Sequence, residues 1–314
     1  MKIIVLKFGG TSIGSIHRIK KVARIVKSYT KKYKVIILSS AMSGTTNKLI
    51  DLSKKISDNF ADNEYDTLVS AGEQISCSLL AGQLIENGIQ ARSQMAWQIP
   101  IITEGQHKYS RIKYIYKKRI LKFLNTGVVP VIAGFQGMNK DLKITTIGRG
   151  GTDASAIMFA KFFKADRCVI YTDVEGVFTT DPNKLKKAKK IKNISYEEML
   201  EMASLGSKVM QPHSIQDARL NRINIEVKSS FLNKSGTLIT KKKNIINNKI
   251  ITGISSTEND SKITLLGVKD RPGIAASIFK PLSKNSINVD MVVQNISSNG
   301  CLLYTSPSPR DEAL

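Results

Sequence analysis

The sequence predicts an α/β protein in which a mostly parallel sheet is covered by helices on both faces, a three-layer α/β/α arrangement, followed by a smaller α+β unit. Three observations carry this prediction. Short runs of β-branched and aliphatic residues lack the alternation of a half-exposed strand, so they read as strands buried on both faces. Stretches with the apolar spacing of a helix alternate with these runs, and ligands of such sheets gather where loops leave the carboxyl ends of the strands. From about residue 234 to residue 260 the composition shifts to Lys, Asn, Ser and Thr, which reads as the exit from the large domain.

The elements follow in order. Ile3-Ile4-Val5-Leu6 is a buried-strand run, Gly9-Gly10 turns the chain, and a helix is expected over 16–28 from Ile16, Ile19, Val22, Ala23 and Val26. Residues 34–38 repeat the strand, and the hydroxyl-rich SSAMSGTT leads into a helix over 47–55. Helices over 66–85 and 152–163 and strands over 128–133 and 168–171 complete the large unit. After residue 260 come a strand over 262–268, a helix over 273–284 and a strand over 286–293, room for one βαβ unit only. The last stretch holds Ser306-Pro307-Ser308-Pro309 and shows neither period. The expected division is therefore 1–240, a linker over 241–261, a partial α+β domain over 262–300 and an unassigned tail over 301–314.

Composition narrows the function classes. At 314 residues, with 41% hydrophobic and 23% charged residues, the chain has the make-up of a folded enzyme or binding domain. The apolar run behind Lys2 ends at Lys7, too short for a signal-peptide core, and the stretch 128–135 falls short of the ~20 residues of a membrane helix, so a cytoplasmic protein is expected. Cys77, Cys168 and Cys301 are far apart and lack CxxC spacing, which suggests neither a disulfide framework nor a zinc site. The formal charge of +23 keeps nucleic acid in view. Its lysines, however, are mixed with isoleucine and asparagine, and no arginine-aromatic platform for stacking bases is present, so solvated faces are the better reading.

Glycine loops carry the chemistry. In KFGGTS, Gly9-Gly10 either simply turns the chain or clears backbone for a phosphate beside Lys7. Gly148-Arg149-Gly150-Gly151-Thr152-Asp153 runs straight into an apolar helix, where it is either an N-capping turn or an anion site. The polar loop 171–182 is too rich in Thr and Asp for a core. Glu73 is either a surface carboxylate or a partner for a substrate ammonium. The Walker pattern, the HRD and DFG kinase sets and GxGxxG are absent, and His17, His107 and His213 are isolated and receive no role.

Taken together and in this order, KFGGTS, SAMSGTTNKL, VSAGEQIS, GRGGTDASA, YTDVEGVFTTDPN, ISYEEMLEMASLGSKVMQP and VKSSF resemble the aspartate kinases of the amino-acid kinase superfamily. The likeness runs from residue 1 to about residue 240, and GVKDRPGIAASIF with NVDMVVQN resembles the start of the regulatory ACT domain that follows in these enzymes. The resemblance implies the amino-acid kinase fold and phosphoryl transfer from Mg2+-ATP to the side-chain carboxylate of L-aspartate, giving 4-phospho-L-aspartate and ADP, the entry to lysine, threonine and methionine. A carboxylate of pKa near ~4 is ionised at neutral pH, so the nucleophile needs no general base.

By the same resemblance, Lys7, Asp153 and Lys208 are the catalytic residues, with Asp153 orienting the lysines. Lys7, Phe8, Gly9, Gly10, Thr172, Asp173, Phe178, Asn183, Lys208 and Val209 hold ATP. Thr46, Glu73, Arg149, Gly150, Gly151 and Thr152 form the aspartate pocket, with Glu73 toward the ammonium and Arg149 toward a carboxylate. Asn183 stands where many relatives carry arginine, with Lys184 beside it, and Met210-Gln211-Pro212-His213 replaces the common Leu-His-Pro-Arg. Asp270, Arg271, Pro272, Gly273, Ile274, Ala275, Asn288, Val289, Asp290 and Gln294 are the implied contacts for a lysine or threonine effector, and paired ACT units imply a homo-oligomer. The metal is expected to rest on ATP phosphates and water, without a named protein ligand. The alternatives are a relative acting on glutamate, carbamate or a nucleoside monophosphate, and a basic nucleic-acid binder without kinase activity.

Overall fold

A computed structural model describes residues 1–148, 150–207, 209–241, 251–256, 260–268, 271–285, 289, 292–296 and 302–309. The chain divides into two compact units, Met1–Ser255 and Ser256–Leu314.

The first unit contains, in order, β1 (Ile3–Phe8), α1 (Ile16–Thr30), β2 (Lys34–Ser39), α2 (Thr45–Ile56), α3 (Asp62–Glu86), β3 (Ala91–Gln94), β4 (Ile101–Glu104) and β5 (Arg111–Ile115). It continues through α4 (Lys118–Asn125), β6 (Val129–Ala133), β7 (Gln136–Met138), β8 (Ile144–Thr146), α5 (Gly151–Phe162) and β9 (Cys168–Thr172). It closes with β10 (Asn193–Ser195), α6 (Tyr196–Ser204), α7 (Pro212–Asn221), β11 (Ile225–Ser229) and β12 (Thr237–Thr240). Eight strands form the main sheet in the order β10-β12-β11-β9-β1-β2-β6-β3. From β11 to β3 every pairing is parallel, whereas β12 runs antiparallel to β11. The chain builds β2, β6 and β3 on one side of β1 and then β9, β11, β12 and β10 on the other. Strand order thus reverses at β1, the position where sheets of this kind open a crevice at their carboxyl edge.

Strand alternation sends each face to its own core. Ile4, Leu6 and Phe8 of β1 pack with Ile19, Val22, Ala23 and Val26 of α1 and with Cys77, Leu80 and Leu84 of α3. Val5 packs on the opposite face with Ala156, Phe159 and Ala160 of α5. Lys7 shares the parity of Val5, so it projects toward α5. Helix α1 starts where Ser15 accepts the Arg18 N–H at 3.3 Å, and its buried stripe is the one its spacing predicts, except that Ile16 in the first turn is exposed. A second, four-stranded sheet in the order β5-β4-β7-β8 has strands of three to five residues, and the sequence reading gave no element there. Such segments are too short to show a period.

In the second unit β13 (Asp260–Val268), α8 (Ile274–Lys284), β14 (Val293–Ile296) and β15 (Leu302–Pro309) give a three-stranded sheet in the order β13-β15-β14. Helix α8 follows Gly273, whose φ of 89° suits a residue without a Cβ. Of the strand expected over 286–293, residues 286–288, 290 and 291 lie outside the described residues, and the described strand begins at Val293. The reading of 301–314 as a tail is corrected at residues 302–309, which form a strand between two others. The physical reason is positional. Leu302 to Thr305 face β14, while Pro307 and Pro309 lie beyond its reach, paired only with Lys262 and Asp260 of β13. A proline with a neighbour on one side only leaves no ladder bond broken on the other.

Helix α3 couples the core to the site, since Leu80 is fully buried beneath β1 and β6 in the face that ends at Phe8. Leu80→Ala is expected to lower stability by about 2–5 kcal/mol, read as a reduced urea midpoint with an unchanged m-value.

Candidate active site

Lys7 is the penultimate residue of β1, with Phe8 between it and the glycine turn, and its Nζ lies 2.7 Å from Oδ1 of Asp153 in the first turn of α5. Both residues are buried, at 9% and 8% exposure. The contact is a short, charge-assisted pairing in which Oδ1 accepts the ammonium. A cation and an acceptor held this way at a sheet's switch point suit the recognition of an anionic group.

The glycines around the pair are matters of space. A Cβ on Gly9 would lie 3.3 Å from Lys7 Nζ, and one on Gly10 would lie 2.8 Å from the Ala41 carbonyl. Bare backbone therefore borders the ammonium. The loop after β2 docks here through the Ser43 N–H to the Gly10 carbonyl (3.2 Å), and the loop after β9 through the Gly9 N–H to the Tyr171 carbonyl (3.1 Å). Ser40 N–H to the Phe8 carbonyl (3.2 Å) adds a third link. The expectation that the loops after Phe8, Leu38 and Tyr171 share one rim therefore holds, because β2, β1 and β9 are parallel neighbours.

Glu73, at 4% exposure on α3, accepts the Ala41 N–H at 2.9 Å through Oε1, while Oε2 is buried without a donor. Burial pushes its pKa up to about 8, and the Ala41 N–H opposes that rise only in part. A buried acceptor without a partner costs ~1–3 kcal/mol, so a cation delivered to Oε2 would be strongly retained. Gly72, one residue earlier, lets α3 approach this loop, since its Cβ would meet Cβ of Ala41 at 2.8 Å. Thr46 is partly buried in the first turn of α2, behind Gly44 with φ 80°.

Helix α5 opens at Gly150 with φ 68° and no side-chain cap. A Cβ on Gly150 would lie 2.5 Å from Cγ of Gln211, which brings the segment before α7 against this turn. Thr152 is buried under the loop after β6, where a Cβ on Gly134 would collide with its methyl at 2.6 Å. Gly151 abuts Phe135, which holds a φ of 64° between the Ser155 hydroxyl on its N–H (3.2 Å) and the Ile147 N–H on its carbonyl (3.0 Å). Loops from β1, β2, β6 and β9, with the segment leading into α7, thus meet around the Lys7–Asp153 pair.

The remaining assignments divide. Arg149 and Lys208 lie outside the described residues, as do Asp270, Asn288 and Asp290. Phe8 is fully buried with its ring stacked on Tyr171 at 4.9 Å, so only its backbone faces the rim. Thr172 gives its hydroxyl to Asp173 Oδ1 at 3.1 Å. Phe178 bridges Lys190, and the Asn183 N–H goes to Asp181 Oδ1 at 2.8 Å, so the described bonds of both stay within their own excursion. Val209 is partly buried beside the start of α7. In the second unit Arg271, Pro272 and Ala275 are exposed around Gly273, while Ile274 and Val289 are partly buried and Gln294 is in β14. The sequence reading missed Phe135, Ser155, Asp66 and His107. Asp66 carried a signal, for it precedes Glu73 by two helical turns on α3 and shares its buried face, together with Ser70. His107, given no role from sequence, meets Asp66 Oδ2 at 2.7 Å.

Comparison with known proteins agrees with this geometry. The profile described as the amino acid kinase family matches residues 2–229, and an ACT domain profile matches residues 263–301. An aspartate kinase of Pseudomonas putida is 44% identical over 314 residues, covering 99% of this chain and 76% of that protein. The crystal structure of aspartate kinase from Synechocystis superposes with a TM-score of 0.70 at 35% identity, covering 98% of this chain and 53% of that one. E. coli aspartokinase III in complex with aspartate and ADP superposes with a TM-score of 0.81 at 26% identity, covering 99% of this chain and 81% of that one. With its kinase profile over most of its length and this degree of identity, the chain belongs to the amino acid kinase family, among the aspartate kinases.

Proposed function

We propose that this chain transfers the terminal phosphoryl group of ATP to the side-chain carboxylate of L-aspartate, forming 4-phospho-L-aspartate and ADP in the cytoplasm. The observation that carries the reading is the buried Lys7–Asp153 pair at the switch point, bordered by the bare backbone of Gly9 and Gly10. A carboxylate oxygen of aspartate forms the new bond to phosphorus as the bond to the bridging oxygen of ADP breaks. The acceptor is already ionised, so the work left to the protein is alignment and charge neutralisation.

In this reading Lys7 neutralises charge on the transferring group, and Asp153 holds the ammonium in place from the first turn of α5. Lys208, Val209, Thr172, Asp173, Phe178 and Asn183 border the nucleotide, with Phe8 contributing backbone alone. Thr46, Glu73, Arg149, Gly150, Gly151 and Thr152 receive aspartate. The orphaned Oε2 of Glu73 is the natural partner of the substrate ammonium. Mg2+ would be carried on the ATP phosphates, where it would add charge neutralisation beside the buried Lys7–Asp153 pair. The second unit is read as a lysine-binding regulatory domain, supported by its ACT profile, and as the source of pairing between chains. E. coli aspartokinase III has also been captured in complex with lysine and aspartate.

Three measurements test this. ADP release by the full chain is expected to depend on L-aspartate, and release indifferent to aspartate overturns the reading. Lys7→Ala is expected to lower kcat by about 10²–10³-fold while the folded structure persists by circular dichroism.

The third concerns Glu73. Its folded pKa of about 8 stands above the ordinary carboxylate value of 4.5, so between these values the folded chain holds the extra proton. Its contribution to stability is complete below the ordinary value and lost as pH rises through about 8. Glu73→Gln does not ionise, so its stability is expected to gain on the wild type across that window. Aspartate binding needs the carboxylate, so KM for aspartate is expected to fall as pH rises toward about 8 in the wild type. In E73Q the same KM is expected to be higher and flat with pH.

A further inference from the structure

We propose that Asp66 is a positioning residue for recognition of the amino-acid substrate, acting on the turn 148–152 from inside α3. The proposal rests on the reading of that turn as part of the aspartate pocket and deepens it. Asp66 is fully buried, yet it touches none of the groups assigned to ATP. Donors from two other segments converge on its carboxylate. His107 Nδ1 lies 2.7 Å from Oδ2, the Lys108 N–H lies 3.1 Å from each oxygen, and Thr146 supplies both its N–H (3.1 Å) and its hydroxyl. These contacts occupy both oxygens of the Asp66 carboxyl group.

The segments so gathered are the connection between β4 and β5 and the end of β8. The Thr146 carbonyl takes the Ser110 N–H at 3.0 Å, so this residue is fixed on both sides of its peptide plane. Two residues on, Gly148 adopts φ 78° with its Cα so near the Lys108 carbonyl that a Cβ would lie 3.0 Å from it. Its own carbonyl accepts the Gly151 N–H at 2.9 Å, at the entry to α5. Lys108 is itself held at φ 67°, its Nζ 2.7 Å from Asp62 and 4.5 Å from the Tyr65 ring centroid. Contacts at Gly148 and Gly151, on the two sides of residue 149, therefore trace back to one buried carboxyl group. Asp66 and Glu73 also occupy the same buried face of α3, with Ser70 between them accepting Gln136 Nε2 on its carbonyl at 3.2 Å. One helix face thus carries the proposed ammonium contact directly and reaches Gly148 and Gly151 through its neighbours. Among the described residues, Lys7 of β1, Gly9 in the turn after it and Thr172 at the end of β9 have no hydrogen bond to Asp66, His107, Lys108 or Thr146.

A purely structural role would lower the active fraction or weaken both substrates alike, whereas a positioning role splits them. In the full chain, Asp66→Asn places an NH2 donor among donors and is expected to raise KM for aspartate by about 10–100-fold, with KM for ATP within about twofold of wild type. Thr146→Val removes only the hydroxyl and is expected to raise KM for aspartate several-fold, while Thr146→Ser restores it. Equal changes in both KM values, or a loss confined to kcat with both KM values at wild-type level, overturn the proposal. If D66N does not fold, the T146V and T146S pair decides by the same criterion. Wild-type ADP release that ignores aspartate overturns the proposed function and this proposal with it, whereas an aspartate-dependent wild type with unsplit variants overturns this proposal alone.

Discussion

An ammonium and a carboxylate 2.7 Å apart at the carboxyl end of the central strand form the contact on which the first unit depends. Burying two charges carries a desolvation penalty of several kcal/mol per ion, which is offset only when partners are fixed in place. Here the partners come from β1 and from the first turn of α5, so the strand where sheet order reverses is locked to the helix that covers it. The carboxylate also sits where the helix dipole favours negative charge. The pair also stands at a rim lined by the loops after β1, β2 and β9, where a charged ligand can meet it.

Glu73 expresses the same logic in a different way. Its residue is more buried still, its carboxyl has one backbone donor, and desolvation drives it to a pKa of about 8. The free site thus holds a group at the edge of ionisation, which a substrate cation would convert to its charged form. Close backbone approach makes both arrangements possible. Gly72 admits α3 to the loop after β2, Gly134 admits Thr152, and Gly150 admits Gln211, each at a distance a Cβ would make impossible without movement of its neighbour. These glycines are demanded by space, and at Gly150 also by a positive φ.

The second unit follows a separate rule. Its sheet order β13-β15-β14 puts the last strand in the middle, so that β13 and β14 are joined only through it. The prolines of β15 are compatible with that place because they fall past the end of β14. A family profile for ACT domains covers residues 263–301 of this unit, which is where the sequence resemblance placed its start.

The sequence by itself determined the elements whose side chains fill both faces of the main sheet, and hence the fold class. Runs such as Ile3-Ile4-Val5-Leu6 and the 3.6-residue stripe of α1 carry their burial in their composition, since hydrophobic burial is local in its residue requirement and periodic in its geometry. The glycine loops and Glu73 were legible too, through their order along the chain. Tertiary structure decided what depends on contact between distant segments. It stacked the Phe8 ring on Tyr171 in the core and left its backbone at the rim, made a strand of residues 302–309, and gave isolated His107 a partner 41 positions away in Asp66. The strands of the small sheet belong to this class as well. A hydrogen bond or ion pair between segments leaves no period in either one, because its direction and distance exist only once both are packed.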